Sequence, residues 1–166
     1  MLKFKDRNME IVFNNDQWSY RPEYGWFTGD LRLLLLDDGR NAQVLEIMLF
    51  QDNNGVIWPV YPGNIVNGSN IPQTVWSWIG KSPFVGRHRI ASAFHDPQCV
   101  GRTEPCNTVH RMYYDACMAA GEDEVVADIL YHAVLFGGPK WGRNEITVDI
   151  QDIDDYWRGA VVYGRL

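Results

Sequence analysis

The sequence predicts an α+β fold, with an N-terminal antiparallel β-meander followed by three to four packed helices. Three observations predict it. The first seventy residues hold short apolar runs parted by Asp-Gly and Asn-Gly turn signals. Between Gly86 and Phe136, apolar residues recur at three- and four-residue spacing, the period of a helix with one buried face. Strands and helices are segregated along the chain instead of alternating as parallel βαβ units would.

The elements follow in order. Met9 to Phe13 is a short apolar strand. Leu31 to Leu36 is a longer one, ended by the turn Asp37-Asp38-Gly39. Val44 to Phe50 is the next, then the turn Asn53-Asn54-Gly55 and a strand over Val56 to Tyr61. Pro62-Gly63 and Asn67-Gly68-Ser69-Asn70 mark a loop. Gln73 to Ile79 is a short helix with Pro72 near its first position, where a missing N–H costs nothing. Gly86 to Asp96 is a second helix, and Pro97 is expected to end or kink it. After a loop of about ten residues, a third runs from Pro105 or Asn107 to Ala120, closed by Gly121. A fourth spans Glu122 to Phe136, with acidic residues in its first turn. Glu145 to Ile150 alternates as a strand does, and Asp152 to Leu166 gives no clear signal.

A chain of 166 residues fits a single domain over 1–166, β-rich to 70, helical over 71–140, with a strand and tail over 141–166. No apolar run is long enough to span a membrane. The N-terminus lacks the apolar core of a secretory signal, so a cytoplasmic location and reduced thiols at Cys99, Cys106 and Cys117 are expected. A net charge of −6 opposes generic nucleic-acid binding, which needs cations to displace counterions. A local basic patch at Lys81, Arg87, His88 and Arg89 reads as a solvated helix start. The seven tryptophans read as core, or else as a stacking surface for a sugar or base. The acidic run Asp149, Asp152, Asp154 and Asp155 lacks EF-hand spacing and reads as a solvated turn.

The order of motifs from Leu45 to Trp141 resembles an uncharacterised bacterial and bacteriophage family, a domain of unknown function. The residues that carry the likeness begin with Val56-Ile-Trp-Pro-Val60, the loop Asn67-Gly-Ser-Asn-Ile-Pro72, Trp76 and Trp78. Gly80-Lys-Ser-Pro-Phe-Val-Gly86 and Ala93-Phe-His-Asp96 follow, then Val109-His-Arg-Met-Tyr113, Ala133-Val-Leu-Phe-Gly137 and Trp141. The family pattern carries an Asp-Gly-x-Ser-Ile-Pro loop, a His-Asp helix and a helix bearing Arg and Ala-Asp. This chain departs from it with Asn67 for the loop aspartate, Asn70 for the loop serine and His110 for the helix aspartate. If the family is enzymatic, the departures imply an altered or inactive member. The helix pair is also similar in outline to phospholipase A2, but without its disulfides, its calcium loop or a carboxylate at position 110.

The residues that could carry chemistry gather on the two central helices. His95 and His110 can serve as base, acid or metal ligand near neutral pH. Neighbours on a helix project about 100° apart, so His95 and Asp96 cannot pair as a catalytic dyad, and Asp96 is expected to point outward. If the helices pack antiparallel, His95 faces His110. Asp115, four residues from Arg111, reads as a surface ion pair.

One reading makes His95, Asp96 and His110 catalytic groups of a small hydrolase-like or metal-assisted enzyme. Its binding rim would be Asn67, Ser69, Asn70, Trp76 and Arg111. The other makes the same residues polar ties between helices in a non-catalytic accessory protein of a phage or mobile element, whose partner is a small molecule or a protein. His95-x3-Cys99-x6-Cys106-x3-His110 offers two nitrogen and two sulfur ligands, a set that zinc or another divalent metal accepts, though Pro97 disturbs the turn aligning His95 with Cys99. His88, Ser92 and His95 share a helix face, but no nucleophile elbow accompanies them, and Ser92 reads as a small packing residue.

Overall fold

The computed structural model of the chain describes residues 3–6, 9–12, 17–69 and 71–142. Asn70, the strand expected over Glu145 to Ile150, the acidic run from Asp149 to Asp155 and the tail lie outside these residues. The fold class is α+β, with antiparallel strands first and helices second. Strands β1 (Lys3–Asp6) and β2 (Met9–Val12) form a hairpin. Strands β3 (Gln17–Trp18), β4 (Gly25–Thr28), β7 (Met48–Asp52) and β8 (Ile57–Val60) form a four-stranded sheet in that order. Strands β5 (Leu33–Leu35), β6 (Ala42–Val44) and β9 (Ile65–Val66) form a third sheet.

The run Val44 to Phe50, expected as one strand, is divided. Val44 ends β6, and Met48 opens β7 in a different sheet. A continuous apolar run carries no mark of where a chain changes sheets, because both pieces are buried. Central strand β7 buries Met48, Leu49 and Phe50 in succession, as a strand covered on both faces does.

Both turn signals act through aspartate. Asp38 Oδ1 accepts from the N–H of Arg40 and of Asn41, each at 2.9 Å. Asp52 Oδ1 accepts from Asn54 N and Val56 N, while its Oδ2 takes the indole N–H of Trp58 at 3.0 Å. A short acceptor that satisfies two turn amides fixes the register of the hairpin it closes. Gly25 has no substitute, since a Cβ there would lie 2.7 Å from the Phe50 ring.

Helices α1 (Gln73–Ile79), α2 (His88–Gly101), α3 (Cys106–Ala119) and α4 (Glu124–Gly137) follow. Pro97 does not end α2. The helix passes through it to Gly101, and four residues, 102–105, connect it to α3 instead of about ten. The burial of Phe94, His95, Asp96 and Cys99 on either side of Pro97 outweighs the one hydrogen bond that proline removes. Phe27 of β4, Phe50 of β7 and Phe94 of α2 meet with ring centroids 4.8 to 6.1 Å apart, joining sheet to helix. Trp58, Trp76 and Trp141 are likewise buried, whereas Trp26 and Trp78 are exposed.

Helix α4 begins later than expected. Asp123 is its N-cap, accepting from Val125 N and Val126 N. This frees Glu122 for another task. It is buried, and its carboxylate takes the ring N–H of His88 at 2.9 Å, the backbone N–H of His88 at 3.2 Å and the Lys81 ammonium at 2.7 Å. The first turn of α2 is therefore capped by a carboxylate from the α3–α4 loop. The basic patch is only partly solvated. Arg87 and Arg89 are exposed, but His88 is fully buried and Lys81 half-buried.

Candidate functional site: the seam between the two central helices

Helices α2 and α3 pack along one seam, and their polar residues meet in it. His95 is the eighth residue of α2 and His110 the fifth of α3. His95 Nε2 and His110 Nδ1 are 2.9 Å apart. The far nitrogen of His110, Nε2, faces the Pro139 carbonyl at 3.3 Å. A carbonyl only accepts, so that nitrogen carries the proton and Nδ1 is left as an acceptor for His95 Nε2–H.

One turn beyond His95, Cys99 Sγ stands 3.5 Å from His95 Nε2 and 3.7 Å from Nδ1. One donor atom each from His95, Cys99 and His110 lie within 4.8 Å of one another. The continuation of α2 through Pro97 makes this possible, because it keeps His95 and Cys99 on one face. Cys106 does not join them. It is buried at the start of α3, with its thiol toward Asn107 Oδ1. All three cysteines are free thiols.

Asp96 turns inward, contrary to the outward orientation read from the helix. Its Oδ2 accepts from the backbone N–H of Asn67 at 2.7 Å and of Ser69 at 3.2 Å. The segment curls around the carboxylate because Gly68 and Ser69 both take positive φ, +83° and +65°. Successive amides in such a curve converge on an anion. Ser69 Oγ is 3.0 Å from Ser92 Oγ on α2, so Ser92 is a packing residue with a hydrogen bond as well. The polar loop and the His-Asp helix, two separate signals in the sequence, are thus one structure. The other Asp96 oxygen, Oδ1, lies 3.5 Å from His95 Nδ1, so the two neighbours do meet, against the expectation that the helix holds them apart, because the inward turn of Asp96 brings its carboxylate back beside the ring.

The seam is closed to solvent. His95 is 0% exposed, His110 1%, Asp96 5% and Cys99 6%. The segment after α4 closes one side. Trp141 stands edge-on to His110 and ties its indole N–H to the Glu104 carbonyl at 2.7 Å. A Cβ on Gly138 would lie 3.2 Å from His110 Cε1. Tyr113 stacks at 4.9 Å from His95.

Burial governs the electrostatics. It lowers the His110 pKa to about 4, with the neighbouring His95 adding to the effect. It raises the Cys99 thiol to about 12, with Asp96 adding to it. The Tyr113 phenol is held well above its ordinary value for the same reason.

The remaining rim residues disperse. Trp76 is buried and stacks at 5.0 Å on His88, away from His95. Arg111 lies outside the seam over the Tyr114 ring and pairs with Asp115 at 3.2 Å. That pair is not a surface pair on both sides, because Asp115 is buried, and burial raises its pKa against the pull of Arg111. Asn67 lines a polar groove of about 550 Å³ with Asp38, Arg40, Asn41, Ile71 and Gln73. Among the described residues, no helix is long and apolar enough to cross a membrane.

Residues 42–134 match the family described as "Protein of unknown function (DUF1353)". The chain is 41% identical over 92 residues to the uncharacterised protein y4jT of Sinorhizobium fredii, covering 55% of this chain and 27% of that protein. It is 29% identical over 117 residues to the uncharacterised protein y4iH of the same organism, covering 70% of this chain and 48% of that protein. The chain thus spans between about a quarter and a half of the length of these relatives. No solved structure matches it.

Proposed function

The chain belongs to the DUF1353 family of unknown function, and we propose that this member is a non-catalytic accessory or interaction protein of a bacteriophage or mobile element. One observation carries the reading. The two histidines that would do chemistry are sealed and already bonded, His95 to His110 and His110 to the Pro139 carbonyl. A general base must reach a substrate proton within hydrogen-bond distance, and no solvent reaches either ring. The departures at Asn67 and His110, where the resembling pattern has carboxylates, support the same reading. The phage or mobile-element context rests on the resemblance of the motif order.

The competing reading is a hydrolase-like or metal-assisted enzyme using His95, Asp96 and His110. A panel of ester, phosphodiester and peptide substrates separates the two, with His95→Ala as the control. Turnover that depends on His95 overturns the non-catalytic reading, and equal background from both proteins is the expected result.

The contact surface then lies outside the seam. The groove between the Asp38–Asn41 turn and the loop at Asn67 is polar, carries the Arg40 cation and stands over the Asp96-held backbone. Such a groove suits a polar segment of a protein partner. A photo-reactive residue placed at Gln73, on the groove's exposed edge, should cross-link one discrete partner in cells that produce it. Arg40→Glu should abolish that adduct.

A further inference from the structure

We infer that His95, Cys99 and His110 form a three-donor zinc site between α2 and α3, one that ties the helices together. The inference is independent of whether the protein is catalytic. Three features of the seam point to it.

The first is the spacing of the donors. Zinc–nitrogen bonds of about 2.0–2.1 Å and a zinc–sulfur bond of about 2.3 Å set tetrahedral donors roughly 3.3–3.6 Å apart. Cys99 Sγ and His95 Nε2 are already 3.5 Å apart. His95 Nε2 and His110 Nδ1, at 2.9 Å, need to part by a few tenths of an ångström.

The second is the partner of each remaining ring nitrogen. A metal-bound histidine usually donates its other N–H to a carboxylate or carbonyl, which fixes its tautomer. His110 Nε2 meets the Pro139 carbonyl, and His95 Nδ1 meets Asp96 Oδ1. In the metal-free seam His110 Nδ1 accepts from His95 Nε2–H, and the Cys99 thiol lies within reach of His95 Nδ1 at 3.7 Å. With zinc bound, His95 would carry its proton at Nδ1, facing Asp96 Oδ1, and the Cys99 thiol proton would leave to solvent.

The third is charge. The zinc dication is balanced by the Cys99 thiolate and the Asp96 carboxylate, so the buried group is neutral as a whole. An isolated charge in the same place would be costly. Three protein donors leave the fourth position to a water.

The test uses the full chain, free of any histidine tag, purified reduced and without chelators. Zinc content by elemental analysis should be close to one per chain, or reach that value after incubation with zinc. Cobalt(II) added in its place should give a sulfur-to-cobalt charge-transfer band that zinc abolishes. Cys99→Ser should lose the band, while Cys117→Ser, whose thiol lies outside the cluster, should keep it. Because poor folding of Cys99→Ser would also remove the band, a second measurement uses the unaltered chain: zinc should raise its Tm and a strong chelator should reverse the rise. A folded chain that takes up no zinc and gives no cobalt band overturns the inference. So does zinc bound equally well by folded Cys99→Ser.

Discussion

His95 and His110, fifteen residues apart in sequence, meet at 2.9 Å in the interior, Nε2 of one ring against Nδ1 of the other. A bond of this kind fixes the rotation of one helix against the other. Apolar stripes alone tolerate sliding, whereas a buried donor facing a buried acceptor does not.

The pair should therefore show energetic coupling. His110→Ala leaves His95 without its partner and is expected to cost about 1–3 kcal/mol, the cost of an unsatisfied buried polar group. The double variant with His95→Ala should cost less than the two single changes added together. Urea denaturation of the four proteins measures this, and strict additivity would show that the two rings do not interact.

Asp96 should control two amides. Charged hydrogen bonds are worth about 1.5–3 kcal/mol, so Asp96→Ala should speed hydrogen exchange at Asn67 and Ser69 by roughly ten- to a hundredfold. The amides of β7 should be unchanged. Residue-resolved exchange by NMR reads both sets in one experiment.

Acid should weaken the joint at Glu122. Burial pushes this carboxyl up, but the hydrogen bonds from His88, Lys81 and the Asp123 amide outweigh it and hold the pKa well below the ordinary range. A carboxyl that is more acidic folded than unfolded stabilises the fold above its unfolded pKa, about 4.3. That contribution fades as the pH falls from there toward the folded value. Stability measured from pH 6 down to pH 3 should decline, and Glu122→Gln should be less stable at pH 6 with a shallower decline.

Gly138 should not tolerate a side chain. Its φ of −75° is open to any residue, so the obstacle is space alone. An added Cβ would press on the Val134 carbonyl and on His110 Cε1. Gly138→Ala is expected to cost about 1–3 kcal/mol, as overpacking does, and thermal unfolding would register it.

All three thiols should be slow to react in the folded chain and should titrate as three in denaturant without reductant. Cys99, Cys106 and Cys117 are each buried and unpaired. Prompt reaction of any one with a thiol reagent would show that its segment opens.

Much of this arrangement was legible in the sequence. The turns at Asp38 and Asn53–Gly55, the stripe of α3 and the approach of His95 to His110 all follow from period and turn chemistry, which are local signals. The failures share a cause. Pro97 reads as a helix end and Asp96 as an outward residue because local rules see the backbone and not the neighbours. Here the loop at Asn67–Ser69 supplies amides that draw the carboxylate inward. Glu122 reads as a helix residue because nothing near it in sequence announces His88, thirty-four residues away. Trp141 and Pro139 belong to the seam through contacts with residues 37 and 29 positions earlier, which no periodicity reports.

The closing segment bears on where the folding unit can be cut. The family match runs over residues 42–134, yet Phe27 at the heart of the aromatic cluster precedes it, and Pro139 and Trp141 follow it. A fragment trimmed to the matched stretch would bare one side of Phe50 and Phe94 and turn His110 into a surface residue. Anyone shortening this chain for expression, or grafting it into a larger protein, should keep residues 17–142 together. A fragment cut inside those limits loses contacts that cover the His110 ring and the aromatic face.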